Sequence, residues 1–277
     1  MPARKVIVAP GTGDEYVREL SPGRVRLIYV RTMRFLVAPL VAGLLVAGTL
    51  PAVAAEAGSR PDLRVAAYQA ELAAAGFYRG AIDGLSGPMT RAAVLAFEKA
   101  AGLERDGIWD SVHFRQLEEW AAPDLGRSGE PDRFEIDITN QVGYLIRDDR
   151  LRAVFGISTG NGELYRHPAG YTARAATPRG DFTFYKYVDG LREAPLGVLY
   201  KPWYFRGGFA LHGSPSVPAY PASHGCVRVT NWDADWLAKE MFVGMPVHVW
   251  EGERATPPTL AYETPSWPEV NLALHPV

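Results

Sequence analysis

Two apolar periods divide this chain, and together they limit what it can fold into. Between residues 62 and 120 apolar side chains recur at helical spacing. In PDLRVAAYQAELAAAGFYRG, Val65, Tyr68, Leu72 and Ala75 share a face, and Gly76 supplies a stop. SGPMTRAAVLAFEKAAG repeats the scheme: Pro88 lies in the first turn, Thr90, Val94, Phe97 and Ala101 form the stripe, and Gly102 ends it. DSVHFRQLEEW is a third helix with Asp110 as its N-cap. Asp-Gly turns at Ile82-Asp83-Gly84 and Asp106-Gly107-Ile108 join the helices, since Asp-Gly supplies the positive-φ residue such turns need. The stripes are expected to face a core rather than a ligand.

From residue 134 the period becomes two. Phe134, Ile136 and Ile138 fall on one face, with Glu135, Asp137 and Thr139 on the other. Asn140-Gln141 and Asp148-Asp149 break this run into strands of a meander, and TPRGDFTFYKYV, GGFALHG and MPVHVW add further strands. One helix is expected over TNWDADWLAKEMF, where Thr230 and Asp233 fit a capping box and Trp232 and Trp236 are an i, i+4 pair. The fold class is α+β. A small three-helix N-terminal module (62–120) is followed by a linker rich in Pro, Gly and charge (121–133), a β-rich domain (134–250) and a proline-rich tail (251–277).

The N-terminus reads differently. In MRFLVAPLVAGLLVAGTLPAVAAE, Arg34 precedes an apolar run from Phe35 to Leu50, and Ala52-Val53-Ala54 gives the small-x-small pattern of a signal-peptidase site. Residues 33–55 are therefore expected to direct export, as a cleaved signal or as a membrane anchor over 35–55. Residues 1–32 lack a persistent apolar period and carry acidic residues, so they read as a non-native or cytoplasmic extension, with Met33 as the start of translation.

A net charge of −2 gives no reason to expect nucleic acid as a partner. One cysteine among 277 residues excludes an intrachain disulfide. Cys226 is then either a buried small hydrophobe or a working thiol. It lies in PASHGCVRVTN, with His224 and Gly225 before it and Arg228 two residues after it. In extended chain Arg228 shares the face of Cys226, where it favours the thiolate or holds a substrate carboxylate; alternatively it pairs with Asp233 or Asp235. A thiol with a free pKa of ~8.5 needs a base or a positive neighbour, and His212, in LHGS, is a second imidazole. Backbone N–H groups of a Gly-containing turn such as His224-Gly225-Cys226 can also converge on an oxyanion. His212, His224 and Cys226 are acceptable zinc ligands too, but a structural site needs a fourth, and neither C-x-x-C nor H-E-x-x-H accompanies them. No metal or cofactor is called for.

Residues 62–120 resemble the peptidoglycan-binding domain carried by many bacterial wall enzymes. The likeness runs through Gly80, Asp83-Gly84, Gly87-Pro88, Thr90, Ala93-Val94, Phe97, Gly102-Leu103 and Asp106-Gly107; it departs at Glu98, where glutamine commonly follows the Phe. It implies that binding falls to the loops, with Tyr78, Asp83 and Arg91 as candidates. HGSPSVPAYPASHGCVRVTN resembles the signature of the L,D-transpeptidase catalytic domain, supported by STG (158–160), TPRGDFTF (177–184) and VLYKPWYFRGGFALHG (198–213). That resemblance implies a β-rich sandwich with the cysteine at the end of a groove. It implies that Cys226 attacks the amide between residues three and four of a peptidoglycan stem peptide, forms an acyl-thioester and passes it to an amine of a neighbouring stem as a 3→3 cross-link. His212 would be the base, with His224 as the alternative. The Gly213 carbonyl would orient the His212 ring, and His224, Gly225 and Cys226 would frame the oxyanion hole. Ser223 and Arg228 would support the turn or bind substrate, with Asn231 beside them, and Tyr200 and Trp203 would wall the groove. The same acyl-enzyme resolved by water would give a hydrolase, and an inactive wall-binding scaffold is the third reading. The implied setting is cell-wall biosynthesis and cell shape outside the cytoplasmic membrane. Peptidoglycan is the expected partner and carbapenems are the expected inhibitors. The spacer between His212 and His224 is short, and 161–176 and 187–197 look individual to this chain.

Overall fold

The computed structural model describes residues 60–122 and 130–252 in full and the backbone of 14–21 and 24–31. The expected export segment, most of the linker and the tail lie outside the described residues. Ahead of that segment, β1 (Asp14–Ser21) pairs antiparallel with β2 (Arg24–Arg31), a hairpin that the lack of an apolar period did not foretell.

The three expected helices form as α1 (Leu63–Ala74), α2 (Pro88–Ala101) and α3 (Ser111–Glu119). Their ends follow local chemistry. Asp62 accepts from the Arg64 N–H at 2.7 Å, Gly102 closes α2 at φ 68°, and Asp110 takes the N–H groups of Val112 and His113. Leu72, Phe77, Val94 and Phe97 are buried between them. Gln69 is buried as well. Its amide nitrogen lies within hydrogen-bonding distance of Asp83, Leu85 and Thr90 and its carbonyl oxygen accepts from Gly84, so one side chain anchors the first Asp-Gly turn.

The remaining chain forms two sheets. β3 (Arg133–Asp137), β4 (Val142–Arg147) and β5 (Arg150–Gly156) make the expected antiparallel meander. Past the small β6–β7 hairpin (Leu164–Arg166 and Thr172–Arg174), β8 (Gly180–Thr183) joins this sheet at its far edge. The second sheet holds β9 (Lys186–Tyr187), β10 (Leu191–Ala194), β11 (Gly197–Arg206), β12 (Phe209–Ser214) and β13 (Val227–Thr230). α4 (Asn231–Glu240) follows, capped by Thr230 on the Asp233 N–H, and β14 (Pro246–Trp250) returns to the first sheet between β3 and β8. Phe134, Ile136, Leu145 and Phe155 meet Phe184, Phe205, Leu211 and Val229, with Leu237 of α4 joining them. The result is a β-rich sandwich in an α+β chain.

The outer face of the first sheet is not solvated. Val142, Tyr144, Ile146, Leu151 and Val154 share one core with Tyr68, Leu72, Phe77, Val94 and Phe97 of the helices. β3 is buried along its whole length, its charged alternate residues included. Arg133 and Glu135 pair there at 3.1 Å with both side chains fully buried, and Asp137 accepts from Asn140. The Val154 N–H donates to the Gly76 carbonyl at 3.0 Å, while the Arg79 guanidinium lies 4.3 Å over Phe155 and pairs with Asp233. The helices and the sandwich are one compact unit over the described residues.

A shared core predicts shared unfolding. Calorimetry of the protein should give one transition for helices and sandwich together. Phe97→Ala should lower stability by about 3–5 kcal/mol without splitting that transition.

Candidate active site

His212 and Cys226 reach one place through the parallel pairing of β12 with β13. Leu211 lies opposite Val227, and His212 opposite Arg228. Residues directly opposite share a face, and alternation returns Cys226 to the face of Arg228. The Ala210 N–H, next along β12, bonds the Cys226 sulfur, and Cys226 Sγ lies 3.8 Å from the Gly208 carbonyl oxygen.

His212 is 5% exposed, and its Nδ1 is 2.8 Å from the Gly213 carbonyl oxygen. A carbonyl only accepts, so Nδ1 carries the hydrogen and Nε2 keeps its lone pair. Burial lowers the His212 pKa to about 4; the Gly213 bond opposes the shift and the Arg228 guanidinium adds to it. The imidazole is therefore neutral at pH 7. Burial also pushes the Cys226 thiol up, opposed by the Ala210 N–H and by Arg228. The resting pair is thiol and imidazole, not thiolate and imidazolium.

The turn before Cys226 is closely fastened. The Ser223 hydroxyl accepts from the Gly225 N–H at 2.9 Å and donates to the Cys226 carbonyl at 2.6 Å. The Thr177 hydroxyl donates to the Gly225 carbonyl at 2.8 Å and accepts from the Gly160 N–H at 2.9 Å. Gly225 sits at φ 130°, and a Cβ there would lie 2.5 Å from the Phe209 ring and 3.0 Å from the Ala176 carbonyl oxygen. Gly213 is needed for space alone: a Cβ would come within 2.8 Å of both Asn231 Oδ1 and the Tyr200 ring. With the Gly225 N–H engaged, no acceptor among the described residues takes the N–H of His224 or of Cys226. The His224 side chain is exposed, its ring edge-on to Tyr165 at 4.6 Å between centroids.

Comparison with known proteins gives the family. Residues 131–249 match the model of the L,D-transpeptidase catalytic domain, and residues 62–117 match that of a peptidoglycan binding domain. The solved L,D-transpeptidase of Xylanimonas cellulosilytica is 41% identical and covers 68% of this chain and 93% of its own, with a TM-score of 0.64. The chain belongs to the L,D-transpeptidase family. An L,D-transpeptidase from Stackebrandtia nassauensis is 19% identical over 74% of this chain and 98% of its own, with a TM-score of 0.41. A curated relative, the OxPP cycle protein OpcA of Synechococcus elongatus, is 46% identical over 52 residues; the match spans 19% of this chain and 12% of that protein.

Within this L,D-transpeptidase the structure gathers His212, Gly213, Ser223, His224, Gly225, Cys226 and Arg228. Arg228 is not paired with either expected acid. Asp233 is taken by Arg79, and Asp235 by Lys201 at 2.9 Å and the Tyr200 hydroxyl at 2.7 Å. Trp203 does not wall a groove: it is 4% exposed, stacked on Tyr187 at 4.2 Å inside the sandwich core, because the β11 face bearing it points inward. Tyr200 and Asn231 pack against Gly213. Among the helices Tyr78 is not on the loop surface. It is 3% exposed and its hydroxyl donates to the Ala81 carbonyl. Asp83 and Arg91 are exposed, yet each holds a turn, Asp83 through the Leu85 N–H and Arg91 through the Asp106 carbonyl.

Thr177 and Tyr165 are the neighbours of the site that residue-by-residue reading missed. Thr177 lay within the matched TPRGDFTF stretch, whereas nothing marked Tyr165. Among the described residues no group of three or more His, Cys, Asp or Glu side chains gathers in metal-holding geometry. A cleft of about 200 Å³ lies between α2 and α4, lined by Met89, Ala96, Trp232 and Trp236; it takes in none of His212, His224 and Cys226.

Two outcomes follow from this geometry. Gly225→Ala should suppress alkylation of Cys226 by iodoacetamide at least tenfold, read by intact mass, since φ 130° and the Phe209 contact both oppose a Cβ. The second concerns pH. The unfolded His212 binds its proton near pH 6.5 and the folded one near 4, so the native state loses stability as pH falls through that window. His212→Gln should remove roughly 3 kcal/mol of the acid destabilisation between pH 7 and 4, measured by urea unfolding.

Proposed function

We propose that this chain is a cysteine-dependent acyltransferase acting on peptidoglycan outside the cytoplasmic membrane. Cys226 is the nucleophile, and the 3→3 cross-link between stem peptides is the product. The observation that carries the reading is the His212 ring. Its Nδ1–H is fixed on the Gly213 carbonyl, and Nε2 is left to take a proton on the face that bears Cys226.

The steps follow from the groups present. The Cys226 thiol gives its proton to His212 Nε2 as sulfur attacks the carbonyl carbon of the L,D-amide. Burial raises the thiol and lowers the imidazole, so neither stands ionised beforehand, and proton transfer accompanies attack. The N–H groups of His224 and Cys226 receive the oxyanion, while the Gly225 N–H stays with Ser223 and holds the turn. Collapse breaks the C–N bond; His212 returns the proton to the departing D-amino acid nitrogen, leaving a thioester on Cys226. An amine of a second stem attacks the thioester, His212 takes its proton, and the thiol is restored. Arg228 lies on the same face and suits a substrate carboxylate. The helical module keeps the enzyme on the wall, with Asp83 and Arg91 as its exposed candidates.

Incubation with purified disaccharide-tetrapeptide and mass analysis tests the reaction. A cross-linked dimer with release of D-alanine is expected; tripeptide alone makes the chain a hydrolase, and no change makes it a scaffold. A carbapenem should acylate wild type and leave Cys226→Ala unmodified. His212→Ala should slow acylation by ~10²–10⁴-fold, with a milder loss for His224→Ala. The reverse order of the two histidines would exchange their roles.

A further inference from the structure

Lys99 is the deepest cation of the helical module, and neither the wall-binding role nor the chemistry above uses it. It projects from the last turn of α2 with no exposure to solvent, and its ammonium donates to two carbonyls, Ile157 at 2.7 Å and Pro218 at 3.0 Å. Both acceptors belong to the sandwich domain. Pro218 lies in the crossover between His212 on β12 and Cys226 before β13. Ile157 precedes Ser158, whose backbone pairs with Arg228 and whose hydroxyl donates to the Tyr220 carbonyl at 2.8 Å. The next residue, Thr159, accepts from the N–H groups of Ala222 and Ser223. A second module cation, Arg105, donates to the Ala219 carbonyl at 3.2 Å.

We infer that Lys99, assisted by Arg105, is a positioning residue for the transpeptidase site. It ties the crossover that joins the two reacting side chains to the 157–160 segment and to the helical module. The module is then a built-in brace of the catalytic turn as well as a wall anchor. This rests on the assignment of Cys226 as nucleophile.

The physical case is one of cost and reach. A buried ammonium is expensive to desolvate and persists only where it is well bonded. Burial brings Lys99 down to about 7, with Arg105 lowering it further and Glu98 opposing. Two neutral carbonyls are a poor return unless their placement matters. Those two lie on the segments that set the Ser223–Cys226 turn, where a shift of about 1 Å can cost ~10²-fold in rate.

The test uses the full chain with three variants: Lys99→Met, which keeps the volume and loses the donor; Arg105→Met, whose half-exposed site tolerates change; and Asp110→Ala. The last removes the α3 cap, lowers the melting temperature and touches no part of the crossover. Carbapenem acylation is followed by mass to separate the limiting rate constant from the half-saturating concentration, alongside melting temperature and iodoacetamide alkylation of Cys226. Lys99→Met should lower the limiting acylation rate about tenfold or more and Arg105→Met about threefold, with half-saturation unchanged. Asp110→Ala should acylate like wild type despite its lower melting temperature. Wild-type rates in Lys99→Met and Arg105→Met would overturn the inference, as would an equal loss in Asp110→Ala. If Lys99→Met does not fold, Arg105→Met decides. Failure of wild type to acylate would instead remove the nucleophile assignment, and alkylation rates would still judge whether the brace sets thiol reactivity.

Discussion

The parallel pairing of β12 with β13 is the constraint on which the site depends. Antiparallel strands can be joined by two residues, but parallel neighbours need a long crossover. Here residues 215–226 make it, and Cys226 is the last of them. Cys226 therefore sits at the end of a loop while His212 sits on a strand, and the loop must be held. Much of the local hydrogen bonding serves that end: Ser223 to Cys226, Thr177 to Gly225, Thr159 to Ala222 and Ser223, and the cations of the helical module to Pro218 and Ala219.

Burial then sets the chemistry. The same low-polarity surroundings lower His212 and raise Cys226, so both rest uncharged. Arg228 favours the thiolate and disfavours the imidazolium at once. A site of this kind stores its reactivity in geometry, namely a fixed tautomer and a fastened turn, rather than in a preformed thiolate.

The helical module changes how the sandwich is to be understood. Its α2 stripe, read as an internal core, is completed by Val142, Tyr144 and Val154 from the first sheet. That packing places Lys99 under the crossover between β12 and β13.

The sequence by itself determined the α+β class, the helix ends and the family signature around Cys226. Those features are local: Asp110 takes the N–H groups two and three residues on, of Val112 and His113, and Ser-His-Gly-Cys lies within four positions. Period-two alternation likewise announced the meander. Only the tertiary structure decided which faces are dry and which polar groups are free. Trp203 became core and Tyr78 left the loop surface because sheets and helices that are distant in sequence closed over them. Arg228 was left without either expected acid because Arg79, far away along the chain, holds Asp233, while Lys201 and Tyr200 hold Asp235. Lys99 and Gln69 are fully buried, and no pattern distinguishes a polar side chain that will meet water from one that will meet a carbonyl of another element. Burial is a sum over the whole fold, and a sequence states only one strand of it at a time.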